Sequence, residues 1–306
     1  VATAANKPDV SVVVPVYRSN EVVLELTDRL ADALGGAGRD YEIVLVDDGS
    51  PDRTWRWILE ARARRPQRVA AVRLGENVGQ HRALLAGMRL ASGELVATMD
   101  DDLQHPPEEL PKLLSEMENP RLDVVYGRYR TRSDAPLRRL LSRASAVAAR
   151  ALFGLRVPPT PFRLLRRRLV EKVIADPNPS MNVDVRIAQH ATAVGGVWID
   201  HAPSRRASST YNPAKLLIIA LDVLRGWPLS NALSWVVATI LASGILARFV
   251  GAPAALRLVA AAAFLGAAVL LCAPLRWMRG RKPDAVPVEI LSPQRPNLTG
   301  EPHGER

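Results

Sequence analysis

The stretch Tyr41-Glu42-Ile43-Val44-Leu45-Val46-Asp47-Asp48-Gly49-Ser50-Pro51-Asp52 passes from an apolar run to two acids, a glycine turn and a proline-led helix start. A strand that feeds a helix in this way is the repeating unit of a parallel sheet covered by helices. The same order recurs on both sides. Val10–Val16 is a β-branched run, and Glu21–Leu34 has apolar residues at helical spacing. After the quoted stretch a helix is predicted from Pro51 to Arg64, with Pro51 near its first turn. Val69–Leu74, a helix over Gln80–Leu90 and the run Glu94–Asp100 repeat the unit. Pro107–Met117 and Asp123–Gly127 repeat it once more. The implied class is α/β: a Rossmann-like, mostly parallel sheet with helices on both faces. In such sheets ligands bind outside the carboxyl ends of the strands, so the residues just after each strand carry most information.

The most informative strand end is Met99-Asp100-Asp101-Asp102-Leu103-Gln104-His105-Pro106-Pro107. Adjacent carboxylates repel one another and cost stability unless a cation sits among them. Oxygen donors select Mg2+ or Mn2+, shared with substrate phosphates. A solvated acidic loop capping the helix near Pro107 would carry the same triplet. The pair Asp47-Asp48 ends another strand, where one acid can accept hydrogen bonds from a base or ribose. Helix capping explains Ser50 and Asp52 but does not require that pair. Tyr17, after Val14-Pro15-Val16, could set its ring near a nucleobase, although Tyr at a strand end is commonly structural. In Asn77-Val78-Gly79-Gln80-His81, Gly79 permits a tight turn and free N–H groups could face an anion. His81 by itself reads as a helix-start residue.

Taken together, these four clusters resemble glycosyltransferase family 2, of the GT-A fold. The matching segments are VVVPVYRSNE from Val12, VDDGSPDRT from Val46, NVGQHRALLAG from Asn77 and MDDDLQHPPEEL from Met99. The resemblance extends from Val10 to Tyr211. It is nearest to the polyprenyl-phosphate group: dolichol-phosphate mannose synthases, bactoprenol glucosyltransferases and undecaprenyl-phosphate aminoarabinose transferases. It implies a nucleotide-sugar donor, UDP-sugar or GDP-mannose, held by Pro15, Tyr17, Glu21, Asp48, Asn77, Gln80, Asp100 and Asp101. It implies Mg2+ or Mn2+ on Asp102, Gln104 and Asp100, with Asp101 standing where the family often has Ala. It implies an acceptor phosphate gripped by Arg128, Arg130, Arg132, Arg138, Ser142, Arg205 and Arg206. Asp100, Asp102, Arg128, Arg138 and Ser142 would carry catalysis, an inverting displacement that leaves a polyprenyl-phosphate-linked monosaccharide.

Two departures from the family pattern stand out. Phe162-Arg163-Leu164-Leu165-Arg166-Arg167 resembles its FRLxxR segment, but Pro159-Thr160-Pro161 precedes it where an acid is common. The loop from His201 to Tyr211 has Ala207 for the usual Gly and Thr210 for the usual Lys.

The 306 residues are 48% hydrophobic and 24% charged, with a formal net charge of +10. Such a balance favours an anionic partner: nucleic acid, acidic headgroups or phosphorylated small molecules. Cys272 is the single cysteine, which excludes an internal disulfide framework or a Cys-based metal site and fits a reducing cytoplasm. Residues 1–9 read as a flexible N-terminus without a signal-peptide pattern. Residues 10–211 form the catalytic domain, and 212–226 an amphipathic interfacial helix with Leu216, Leu217, Ile218 and Ile219 between Lys215 and Asp222. Within 227–277 two uncharged runs, Trp227 to Ala247 and Leu258 to Leu275, predict transmembrane helices of about 227–248 and 257–276, each long enough to cross a bilayer. Trp227, Trp235 and Trp277 sit at or near their ends, as interfacial aromatics do. Arg276, Arg279, Arg281 and Lys282 outnumber Arg248 and Arg257 of the link, which puts the catalytic domain and tail on the cytoplasmic side of the inner membrane. A buried helical hairpin is the alternative. Residues 278–306 read as a disordered tail.

The partners expected are therefore the donor, the lipid acceptor and the bilayer, without nucleic acid; a homo-oligomer is left open. A processive family 2 polysaccharide synthase would carry QxxRW, but Ala273 stands where Gln is needed before Arg276-Trp277. A non-catalytic basic protein binding nucleic acid or a membrane surface is the competing class. Its phosphate backbone partner would be repelled by the acid clusters unless they held metal.

Overall fold

The structure is a computed structural model that describes residues 7–129, 159–177, 182–200 and 287–293. The first half alternates β1 (Val10–Val16), α1 (Val22–Gly36), β2 (Tyr41–Asp47), α2 (Thr54–Arg64), β3 (Val69–Leu74), α3 (Gln80–Leu90) and β4 (Leu95–Thr98). A 3-10 turn (Pro107–Glu109) runs into α4 (Leu110–Met117), followed by β5 (Val124–Tyr129), β6 (Arg163–Arg166) and α5 (Arg167–Ala175). Then come α6 (Val183–His190), β7 (Val194–Ile199) and β8 (Pro287–Leu291).

One eight-stranded sheet has the order β7-β5-β6-β4-β1-β2-β3-β8. β1 lies at its centre, parallel to both neighbours, with Val10 opposite Tyr41 and Leu95. Every residue of β1 and β2 is buried, as strands are when both faces are covered, and the polar Ser11 and Glu42 pair with each other, Ser11 Oγ donating to Glu42 Oε1 at 2.6 Å. Val12, Val14 and Val16 face a core with Leu26, Leu30 and Leu34 of α1, Ile58 of α2, and Leu113 and Met117 of α4. Val13 faces the other way, towards α3. A Cβ on Gly87 would stand 2.4 Å from Val13 Cγ1, so only glycine lets α3 lie this close to the sheet. The parallel strands β1 to β4 are thus held in register, and their carboxyl ends lie on one edge of the sheet.

The flanks depart from the sequence reading. β6 runs antiparallel between β4 and β5, and β7 returns parallel to β5. β6 carries Arg at both ends, which hides it from an apolar-run search. Arg163 is nonetheless buried, and its Nε donates to Thr98 Oγ1 at 3.1 Å. Arg166 donates to the Leu122, Met117 and Asn119 carbonyls. A second correction concerns the tail: Pro287–Leu291, expected to be disordered, pairs antiparallel with β3. Its leading proline suits an edge strand, which needs no ladder donor on its open side. At the other end of the chain, Pro8 and Asp9 fall within the terminus expected to be flexible. Their carbonyls accept the Glu94 and Leu95 N–H groups, which ties them to β4.

Chain contacts divide the protein into two units. The first holds Val1–Asp176, Arg186–Ser209 and Ala285–Arg306, and contains the sheet. The second holds Pro177–Val185 and Thr210–Asp284. In its described part, Asn182 Oδ1 accepts the Asp184 N–H at 2.9 Å and so starts α6. No helix among the described residues is long and apolar enough to cross a membrane. The stretches 212–226 and 227–277 lie outside the described residues.

Candidate active site

Four loops leave the carboxyl ends of β1 to β4, and hydrogen bonds join them into a closed ring. After β1, the Arg18 N–H donates to Ser50 Oγ at 3.1 Å, and the Ser19 and Asn20 N–H groups donate to Thr54 Oγ1. That ties the β1 turn to the loop after β2. Asp48 then reaches the loop after β3, accepting the Val78 N–H at 2.8 Å and the Gly79 N–H at 3.0 Å. Gly49 makes this approach feasible. Its φ is +64°, and a Cβ there would stand 2.5 Å from the Glu76 carbonyl carbon. At the start of α3, Gln80 Nε2 donates to Asp100 Oδ1, which links the third loop to the fourth. Asp101 closes the ring by accepting the Tyr17 N–H at 3.2 Å and the Ser19 hydroxyl.

Within the acid triplet the side chains diverge. Asp100 and Asp102 are half-buried, whereas Asp101 is 3% exposed. Leu103 takes φ +58° and is itself buried, which swings the loop back into the core. The Gln104 N–H donates to Asp102 Oδ1 at 3.1 Å. Next to it, His105 lies buried against the Phe162 ring, with centroids 5.5 Å apart, and shares a hydrogen bond with the Tyr129 hydroxyl. Burial, and then the charges of Asp100 and Asp102, push the Tyr129 phenol well up, so it stays protonated. Burial likewise raises Asp47 and Asp48, against the hydrogen bonds that favour their charged forms. Asp47 accepts the Ser50 N–H at 3.0 Å, and Arg73 Nε stands 3.6 Å from its other oxygen, an ion-pair distance.

The ring places the residues read from the sequence as follows. Tyr17, Asp48, Gln80, Asp100, Asp101, Asp102 and Gln104 all belong to it or border it. Pro15 is buried inside β1, one residue short of the strand end, opposite Val46. Glu21 and Asn77 are exposed on the loops themselves. Ser50, a candidate helix cap, serves the β1 turn instead, while Asp52 Oδ1 takes the Thr54 N–H at 3.0 Å. Arg128 lies in β5, its guanidinium 4.3 Å over the ring of Trp198 on β7. Arg130, Arg132, Arg138, Ser142, Arg205 and Arg206 lie outside the described residues. In Pro159-Thr160-Pro161, Thr160 Oγ1 is 2.9 Å from the Gly127 carbonyl oxygen, which fastens the turn to β5.

Sequence reasoning passed over Ser19, Thr54 and the His105–Tyr129 pair. A hydroxyl inside a strand-end turn was the available signal for Ser19. Nothing local signals a His and a Tyr 24 positions apart.

The family model described as Glycosyl transferase family 2 matches residues 11–180. The undecaprenyl-phosphate 4-deoxy-4-formamido-L-arabinose transferase of Pseudomonas fluorescens (strain Pf0-1) is 34% identical over 217 residues, 70% of this chain and 64% of that protein. Its counterpart in Pseudomonas aeruginosa (strain UCBPP-PA14) is 36% identical over the same shares. The chain thus spans 64% of the length of these curated relatives. Among solved structures, mannosyl-3-phosphoglycerate synthase from Rubrobacter xylanophilus matches with a TM-score of 0.51 at 17% identity, over 72% of each chain. Glucosyl-3-phosphoglycerate synthase from Mycobacterium tuberculosis in complex with UDP matches with a TM-score of 0.50 at 19% identity, over 72% of this chain and 81% of that one. These likenesses concern the fold, which is GT-A. With the ring of strand-end loops and the family match over more than half its length, the chain belongs to glycosyltransferase family 2.

Proposed function

We propose that this protein transfers a glycosyl group, with inversion, from a nucleotide-sugar to polyprenyl phosphate at the cytoplasmic face of the inner membrane. The observation that carries the reading is the pair Asp100 and Asp102, half-buried at the carboxyl edge of the sheet inside a cross-tied ring of loops. Ligands of open α/β sheets bind at this edge. The acceptor class draws support from the relatives, whose names specify undecaprenyl phosphate.

Mg2+ or Mn2+ suits the donor set, because the half-buried side chains Asp100, Asp102 and Gln104 of the acid loop offer carboxylate and amide oxygens. Asp102, Asp100 and Gln104 would hold it, and when bound it would offset charge on the departing nucleoside diphosphate. Among the described residues no three His, Cys, Asp or Glu side chains could hold a metal alone. Substrate phosphates and water would complete the shell, the usual arrangement for Mg2+.

The chain's own part is alignment. Tyr17, Asp48, Asn77 and Gln80 border the space for the nucleotide. The two oxygens of Asp48 already bind Val78 and Gly79, and a carboxylate retains lone pairs for a base or ribose donor. A phosphate monoester is anionic at neutral pH, so the acceptor needs no general base. Arginines of the basic stretch would hold it in line and offset repulsion between two anions. Residues 227–277 would anchor the domain as a transmembrane hairpin.

The test is transfer by purified protein in detergent, offered a panel of nucleotide-sugars with and without undecaprenyl phosphate. The expected product is a lipid-phosphate-linked sugar, seen by mass spectrometry only when lipid is present. Sugar transferred to water alone, or to no acceptor with any donor, would contradict the assignment.

A further inference from the structure

We propose that Asp101, the middle acid of the triplet, is a positioning residue that locks the turn after β1 to the acid loop that would hold the metal, and so sets the gap for the nucleotide half of the donor. The inference rests on the donor-site reading above. Asp101 is 3% exposed, so it does not itself meet substrate. One oxygen, Oδ2, takes both the Tyr17 N–H and the Ser19 hydroxyl, which lie 84 and 82 positions earlier in the chain. These donors stabilise its charge, and charge-assisted hydrogen bonds are about twice as strong as neutral ones. The triplet therefore needs a cation for two of its acids, not three.

The turn it grips has no regular structure to hold it. Arg18 and Asn20, on either side of Ser19, have φ of +53° and +48°, a region that L residues seldom occupy. Ser50 and Thr54 hold the turn from the β2 side. Asp101 holds it from the acid loop, and so fixes the distance between Tyr17 and the pair Asp100 and Asp102. Without that bond the ring opens at the point between nucleoside and metal.

Two substitutions separate this role from a direct charge effect. Asp101→Asn keeps an oxygen that can take both bonds but has no charge, whereas Asp101→Ala keeps neither. Hydrogen exchange at the Tyr17 amide, without substrate, reads the lock itself; donor and acceptor KM read its consequence. Asp101→Ala is expected to deprotect Tyr17 and raise donor KM about tenfold, with acceptor KM within about twofold. Asp101→Asn is expected to stay within about threefold of the parent on both readouts. Ser19→Ala should act in the same direction and add little to Asp101→Ala, as partners in one bond do. If Asp101→Ala does not fold, Asp101→Asn and Ser19→Ala alone decide.

An Asn variant with donor KM raised as far as the Ala variant would overturn the proposal, because charge would then be what matters. So would Tyr17 protection that ignores Asp101. A parent protein with no transfer to any acceptor, whose Tyr17 protection still depends on Asp101, would remove the functional reading and leave the lock standing.

Discussion

At the scale of single residues, the chemistry of the site depends on where each carboxylate ends up. Asp102 and Asp100 remain half-exposed, and Asp102→Ala is expected to reduce transfer to background while leaving the thermal midpoint within a few degrees, since no core contact is lost. Retained turnover in the folded variant would remove Asp102 from the site. Asp123, at the entry to β5, shows the opposite use of an acid. Burial works against its ionisation, but the Thr192 hydroxyl, the Thr192 and Ala193 N–H groups and Arg168 more than compensate, lowering it to about 2. Because the folded value lies below the ordinary 3.8, its stabilisation is complete above pH 4 and is lost as pH falls towards 2. The contribution is about 2 kcal/mol, so Asp123→Asn should flatten the acid limb of the stability curve between those pH values. Chemical denaturation across that range would show it.

At the scale of elements, glycines set how closely neighbouring pieces approach. Gly49 lets the loop after β2 touch the backbone of Glu76 and Asn77. Gly49→Ala meets both a positive φ and a backbone clash, so it should cost about 2 kcal/mol or more and weaken nucleotide binding in parallel. Calorimetry of the nucleoside diphosphate with Mn2+ tests the second effect, and unchanged affinity would separate this loop from the site. β8 makes a second case. It covers the edge of β3, with Glu289 opposite Arg73, and the Ser292 carbonyl accepts from Arg62. Ending the chain before Pro287 bares that edge, so a lower midpoint and concentration-dependent light scattering are expected.

The central strands were legible because β1 and β2 are buried on both faces and are apolar but for Ser11, Glu42 and Asp47. β6 was not, since Arg163 and Arg166 are matched to distant carbonyl and hydroxyl groups that no local pattern encodes. The site divided in the same way. Its acids could be read from order and spacing, but the inward turn of Asp101 follows from the left-handed Leu103 and from donors on another loop. Arg128, within β5, stacks on the Trp198 ring, a cation–π contact that no local sequence pattern encodes.

At the scale of the whole molecule, the proposed function joins a GT-A domain, with the candidate donor site at the carboxyl edge of its sheet, to a lipid-phosphate acceptor. Its most direct test is one experiment with four arms: parent protein and Asp102→Ala, each with and without Mn2+, given nucleotide-sugars and undecaprenyl phosphate. Lipid-phosphate-linked sugar is expected only from the parent protein with the cation present. Equal product without Mn2+, or from Asp102→Ala, would contradict it.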